Sequence, residues 1–117
     1  LLLGGSRTEE RLEKARNLLK KFGLYPYKDA HPVVLSGGQK QRLSIACGLL
    51  SGREILLLDE PTSGLDGGNM RKIASSLVHA ASEGKTILVI THDEELIQVC
   101  CDFSWKLVSV KTNVDLQ

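Results

Sequence analysis

No apolar run in this chain approaches the roughly 20 residues needed to cross a bilayer, and Leu1-Leu2-Leu3 is too short for a signal-peptide core. The chain therefore reads as soluble. Fifteen basic and 14 acidic side chains leave a formal net charge of +1, so no large electrostatic bias toward nucleic acid or anionic lipid is present. Any partner must be read from local sites. The three cysteines, Cys47, Cys100 and Cys101, lack the paired C-x-x-C spacing of a zinc or redox centre. They are expected to be buried thiols of a reducing compartment, with no bridge between Cys100 and Cys101 because vicinal geometry is strained. Internal repeats, low-complexity tracts, heptad runs and basic stripes are also missing. Nor is there a Gly-x-x-x-x-Gly-Lys-Ser/Thr loop anywhere in the 117 residues.

What is present fits one compact globular unit, with 42% hydrophobic and 25% charged residues. The start at Leu1, within an apolar run and without Met, reads as a cut element and hence a fragment. From Thr8 to Phe22, Leu12, Ala15, Leu18, Leu19 and Phe22 recur at three- or four-residue spacing among charged residues, which predicts an amphipathic helix. Thr8 is the expected N-cap and Gly23 the stop. Leu24 to Val34, with Pro26 and Pro32, has neither period and reads as a connecting loop. A second helix follows Gly37-Gly38 and ends at Ser51-Gly52.

The run Ile55 to Leu58 has the continuous apolar character of a parallel strand covered on both faces, and Pro61 stops it. Asn69 to Ser82 returns to helical period, and Thr86 to Ile90 is a second such strand. Strand, helix and strand together predict a parallel crossover unit. Asp93 is expected to cap a short helix to Cys101. Trp105 to Val110 reads as a final strand, and Lys111 to Gln117 as a frayed end.

In an open parallel sheet the functional crevice lies beyond the carboxyl ends of the strands. Asp59-Glu60 ends one strand and Thr91-His92-Asp93 ends the next, so the topology should bring carboxylates and an imidazole to one edge. Upstream, Leu35-Ser36-Gly37-Gly38-Gln39-Lys40-Gln41-Arg42 places a glycine turn at a helix start, where free N–H groups and the helix dipole favour an anion. Lys40 and Arg42 are expected on the solvated face of that helix. His31 and His79 read as surface or hydrogen-bonded histidines.

Leu35 to Arg42, Ile55 to Asp66 and Thr91 to Asp93 resemble the signature motif, the Walker B strand with D-loop, and the switch-histidine loop of ABC-type ATPases. The three stand in the family's order and spacing, and the resemblance runs from about Thr8 to Lys106. It implies an α/β fold: a P-loop NTPase-like parallel sheet with part of a helical subdomain, incomplete at its N-terminus. Residues 1–50 would be helical subdomain and signature helix, and 53–117 the Walker B, D-loop and switch-histidine part of the core. ATP and Mg2+ are the implied ligands. By the same resemblance Asp59 holds the metal through water, at the buried end of the strand. Glu60 is the general base, and His92 contacts the γ-phosphate. Ser36, Gly37, Gly38 and Gln39 would face the nucleotide of an opposite subunit, with Asp66 at the dimer contact.

The implied partners are a second nucleotide-binding domain, in a homo- or heterodimer, and a transmembrane transporter subunit; no nucleic acid is among them. The implied location is the cytoplasmic face of a membrane. The motif wording resembles importer-type subunits most. The family's phosphate loop, base-stacking aromatic and glutamine loop are not in the chain, so the parent should be active and this piece alone inactive. Their loss should also expose strand edges and apolar faces, favouring self-association. Gly67-Gly68 should loosen the start of the helix that follows. One alternative is a soluble ABC-type ATPase acting on ribosomes or DNA. Such relatives usually carry Asn-His where this chain has Ser63-Gly64. Another is a regulatory module that has lost catalysis, against which the retention of Glu60 and His92 speaks.

Overall fold

Four helices and two strands follow one another in the computed structural model, which describes residues 5–109. The first helix, α1, runs Gly5–Lys21 and so begins before the expected cap. Neither Ser6 nor Arg7 opposes helical backbone, which leaves Thr8 inside the helix and not at its boundary. Its C-terminus is as expected: Gly23 takes φ 71°, Leu24 N–H donates to the Leu19 carbonyl at 2.7 Å and Gly23 N–H to that of Lys20 at 3.1 Å. This closing pattern satisfies two otherwise orphaned carbonyls and turns Phe22 and Leu24 into the core. The connecting segment contains two short 3-10 turns, Tyr25–Tyr27 and Pro32–Val34.

Helix α2 spans Gly37–Leu50, β1 Ile55–Asp59, α3 Gly67–Ser82, β2 Thr86–Ile90 and α4 Glu94–Cys100. β1 and β2 pair in parallel with Leu57 opposite Leu88 and Asp59 opposite Ile90, so the crossover unit forms as its sequence predicts. One apolar cluster joins Phe22 and Leu24, Ile45 and Ala46 of α2, Leu58 of β1, and Ile73 and Leu77 of α3. A second joins Met70 and Ala74 of α3 to Leu96 of α4. The α3 start is not loosened by its two glycines, because the Asp66 carboxylate accepts from Asn69 N–H at 2.7 Å and closes the first turn.

The two-faced burial expected of the strands is not found. Leu56, Leu58, Ile87 and Val89 pack inward, but Ile55, Leu57, Leu88 and Ile90 remain 48–65% exposed because no described element covers their face. The expected final strand is also not found among residues 105–109, which have no strand neighbour to pair with; Trp105 and Leu107 are largely exposed. Val110 and the expected frayed end lie outside the described residues. The thiols depart from expectation too. Cys47 is exposed, on the side of α2 away from core-facing Ile45 and Ala46, while Cys100 and Cys101 are half-buried. Their sulfurs are unbridged, 3.8 Å apart.

Candidate functional site

The site lies where β1 and β2 end. Glu60 follows directly on β1, and its N–H donates to the carbonyl of Ile90, the last residue of β2, at 2.7 Å. Glu60 takes φ 48°, and it alone among the described non-glycine residues enters the left-handed region. A glutamate in that conformation costs on the order of 1 kcal/mol, so surrounding contacts must hold it there. Its carbonyl accepts from Ser63 N–H at 3.2 Å and from the Gln41 side-chain amide, Nε2, at 2.5 Å.

The Glu60 carboxylate is thereby aimed at the loop after β2. Oε2 accepts from the Thr91 hydroxyl at 3.3 Å and lies 3.5 Å from the His92 N–H, while Oε1 is 3.5 Å from His92 Nε2. The His92 ring is otherwise open to solvent. Asp93 anchors the loop from its far side. One carboxylate oxygen caps α4 through Leu96 N–H at 3.1 Å, and the other accepts from the buried Thr62 hydroxyl at 2.9 Å. These bonds, the Leu96 amide first and Thr62 second, hold the Asp93 carboxyl below its ordinary range.

Asp59 departs from expectation: its carboxylate is exposed, not buried. The side chain stands on the strand face that no described element covers. It makes no ion pair with a described residue.

At the start of α2 the Ser36 hydroxyl accepts from Gln39 N–H at 3.2 Å, and the Gln39 side chain accepts from Ser36 N–H at 2.9 Å. This reciprocal capping box rigidifies the turn and leaves the N–H groups of Gly37 and Gly38 without a partner among the described residues. A Cβ at either glycine would meet nothing within 4 Å. Lys40 is exposed as expected, but Arg42 is half-buried and folds back toward the Gly38 carbonyl at 3.4 Å. His31 caps the second 3-10 turn and His79 pairs with Glu83, both on the surface as read from the sequence.

Glu60, Thr91 and His92 are thus brought together, while Asp59, next to Glu60 in sequence, makes no side-chain contact with them. Asp66 is not among them: its carboxylate serves the start of α3. Two contributors escaped the sequence reading, Gln41 and Thr62, which stand inside motifs but away from their charged positions; Thr91 was placed at the crevice with His92 and Asp93 but given no role.

Residues 5–63 match the family model described as ABC transporter. The chain belongs to this family. Its relatives include a putative ABC transporter ATP-binding protein of Treponema denticola, 46% identical over 72% of this chain and 17% of its own length. The macrolide export ATP-binding/permease protein MacB of Mannheimia succiniciproducens is 44% identical over 81% of this chain and 15% of its own. A putative HMP/thiamine import ATP-binding protein of Bacillus subtilis is 41% identical over 87% and 19%. The chain therefore spans less than a fifth of the length of these curated relatives. Among solved structures, a dimeric bacterial ABC transporter cassette superposes with TM-score 0.65 at 36% identity, over 86% of this chain and 43% of the cassette. An archaeal ribosome recycling factor, in complex with a ribosomal stalk protein, gives 0.65 at 38%, over 71% and 16%. The ABC ATPase architecture, α/β with a parallel sheet, is the fold of this chain.

Proposed function

We propose that this chain supplies the catalytic-carboxylate side of an ATP-hydrolysing subunit that powers an ABC transporter. The observation that carries the reading is the convergence of Glu60, Thr91 and His92 at the ends of two adjacent parallel strands. Glu60 Oε2 is held by Thr91 and the His92 amide, which fixes the carboxylate while leaving it partly open, as a base that must meet a water requires. Thr91 and His92 orient it, and the exposed His92 ring is free to contact the terminal phosphate of bound ATP. Asp59 would hold Mg2+, which when bound neutralises charge on the phosphates.

The amides of Gly37 and Gly38 are the chain's own phosphate-facing groups. Neither glycine is needed for a positive φ or for space within the chain, so their smallness favours the close approach of something outside it. That something is the nucleotide held by a second nucleotide-binding domain, with Ser36 and Gln39 fixing the turn and Asp66 beside the contact. A head-to-tail dimer sandwiching ATP follows, engaged with a transmembrane subunit at the cytoplasmic face. The named relatives include both an exporter and an importer, so the direction of transport forms no part of the proposal.

In the full-length protein, Glu60→Gln should abolish turnover while leaving ATP binding and dimer closure intact. Hydrolysis at the parent rate would remove Glu60 from the role of base.

A further inference from the structure

The left-handed backbone at Glu60 is clamped by three hydrogen bonds, and only one of them comes from a side chain. The amide bond to Ile90 belongs to the junction of the two strands, and the bond from Ser63 N–H to the Glu60 carbonyl belongs to the turn. Gln41 Nε2 supplies the third, reaching the same carbonyl from α2 across 19 residues of sequence. A carbonyl already bonded to Ser63 is not an orphan, so the Gln41 bond is not needed to satisfy it. What it adds is direction: two donors from different elements fix the plane of the peptide that follows Glu60. Gln41 is half-buried and has no other described side-chain hydrogen bond, so this contact is its evident use.

We propose that Gln41 is a positioning residue for the catalytic carboxylate, holding Glu60 in its left-handed conformation so that the carboxylate stays on Thr91 and His92. The inference rests on the reading of Glu60 as general base. It makes the helix that carries the Ser36 to Gln39 turn part of the same chain's base-orienting apparatus. Gln41 touches neither nucleotide nor water in this account and acts only through the Glu60 backbone. Its loss should therefore lower kcat and leave nucleotide affinity alone.

The test is steady-state ATPase kinetics of full-length variants. Gln41→Met keeps much of the side chain's shape without the donor, Gln41→Glu keeps its polarity without the donor, and Gln41→Lys keeps an N–H donor on a flexible stem. Because misplacing a catalytic group by about 1 Å costs up to about a hundredfold, the two donorless variants should lose about tenfold in kcat. KM for ATP should stay within about twofold, and Gln41→Lys should recover to within about threefold of the parent. Use of two donorless variants guards against one failing to fold. Parent-level kcat in either folded donorless variant would overturn the proposal, as would equal losses in Gln41→Lys and Gln41→Met. If Glu60→Gln alone hydrolyses at the parent rate, the general-base reading fails; if it is dead while Gln41→Met is unimpaired, only the positioning role fails.

Discussion

Asp93 is the residue on which the loop after β2 hangs, and removing its carboxylate separates two contributions that the structure allows to be counted. Asp93→Ala deletes the N-cap of α4, a loss of about 1 kcal/mol for a side-chain cap replaced by alanine. It also strands the Thr62 hydroxyl, which is 5% exposed and donates to Asp93 Oδ2, for about 1 to 2 kcal/mol more. The expected total is about 2 to 3 kcal/mol, with T62V alone costing about 1 because it removes the hydroxyl together with its need for a partner. The two changes share one bond, so the double variant should be less destabilised than the sum by about 1 kcal/mol.

Urea unfolding of the full-length protein with unchanged m-value measures this cycle. Additive losses would refute the tether. The acid limb gives a separate check. The Asp93 carboxyl lies below its ordinary 3.8 because the folded state binds its charged form, so its contribution is fully present above about pH 4. It is lost as pH falls through the lowered folded value. Asp93→Asn can still accept from Leu96 N–H through its single amide oxygen and donate its NH2 to the Thr62 hydroxyl, but it does not titrate, so the difference between parent and variant should change only below about pH 4. A difference that changes between pH 5 and 7 would point to another group.

Three further outcomes are expected. Ser36→Arg should stop hydrolysis by filling the space in front of Gly37 and Gly38, and mixing it with Glu60→Gln chains should restore activity at one site of the mixed dimer; no recovery would speak against sites shared across two chains. Calorimetric titration of the 117-residue chain with Mg-ATP should show no binding, and clear binding would mean that Asp59, Glu60 and His92 hold nucleotide without a phosphate loop. The same chain should self-associate in size-exclusion chromatography through Ile55, Leu57, Leu88 and Ile90, and L57K together with I90K should shift it toward monomer. An unchanged elution profile would place any association elsewhere.

The crossover unit and its site were legible because both rest on local chemistry. Apolar runs give β1 and β2, Pro61 and Gly84 mark their limits, and parallel pairing then brings Glu60 and His92 together without further information. The start of α1 was not legible, since Ser6 and Arg7 carry no stop signal and a threonine inside a helix looks the same as one at its cap. The Trp105 to Val110 strand failed for a different reason. Its aromatic and β-branched content is a preference for a pleated surface, and the described residues offer no neighbouring strand to provide one. Gln41 was invisible because its role depends on the backbone angle of a residue 19 positions away.

The same dependence says how the site is assembled. Glu60 is the first residue beyond β1, and each group that fixes it comes from a different element: Ile90 from β2, Gln41 from α2, Thr91 and His92 from the loop that Asp93 ties down to Thr62. None of these contacts is strong alone, and a net hydrogen bond contributes about 1 kcal/mol. Together they oppose one unfavourable φ, and they can do so only while β1 and β2 stay in register, because Ile90 opposite Asp59 sets the reach of all the others. A one-residue slip of β1 would turn Leu58 out of the core and break the Glu60–Ile90 bond in the same step. Burial of one strand face is therefore what aims the carboxylate. The opposite face, which no described element covers and which ends in Asp59, leaves that carboxylate in water.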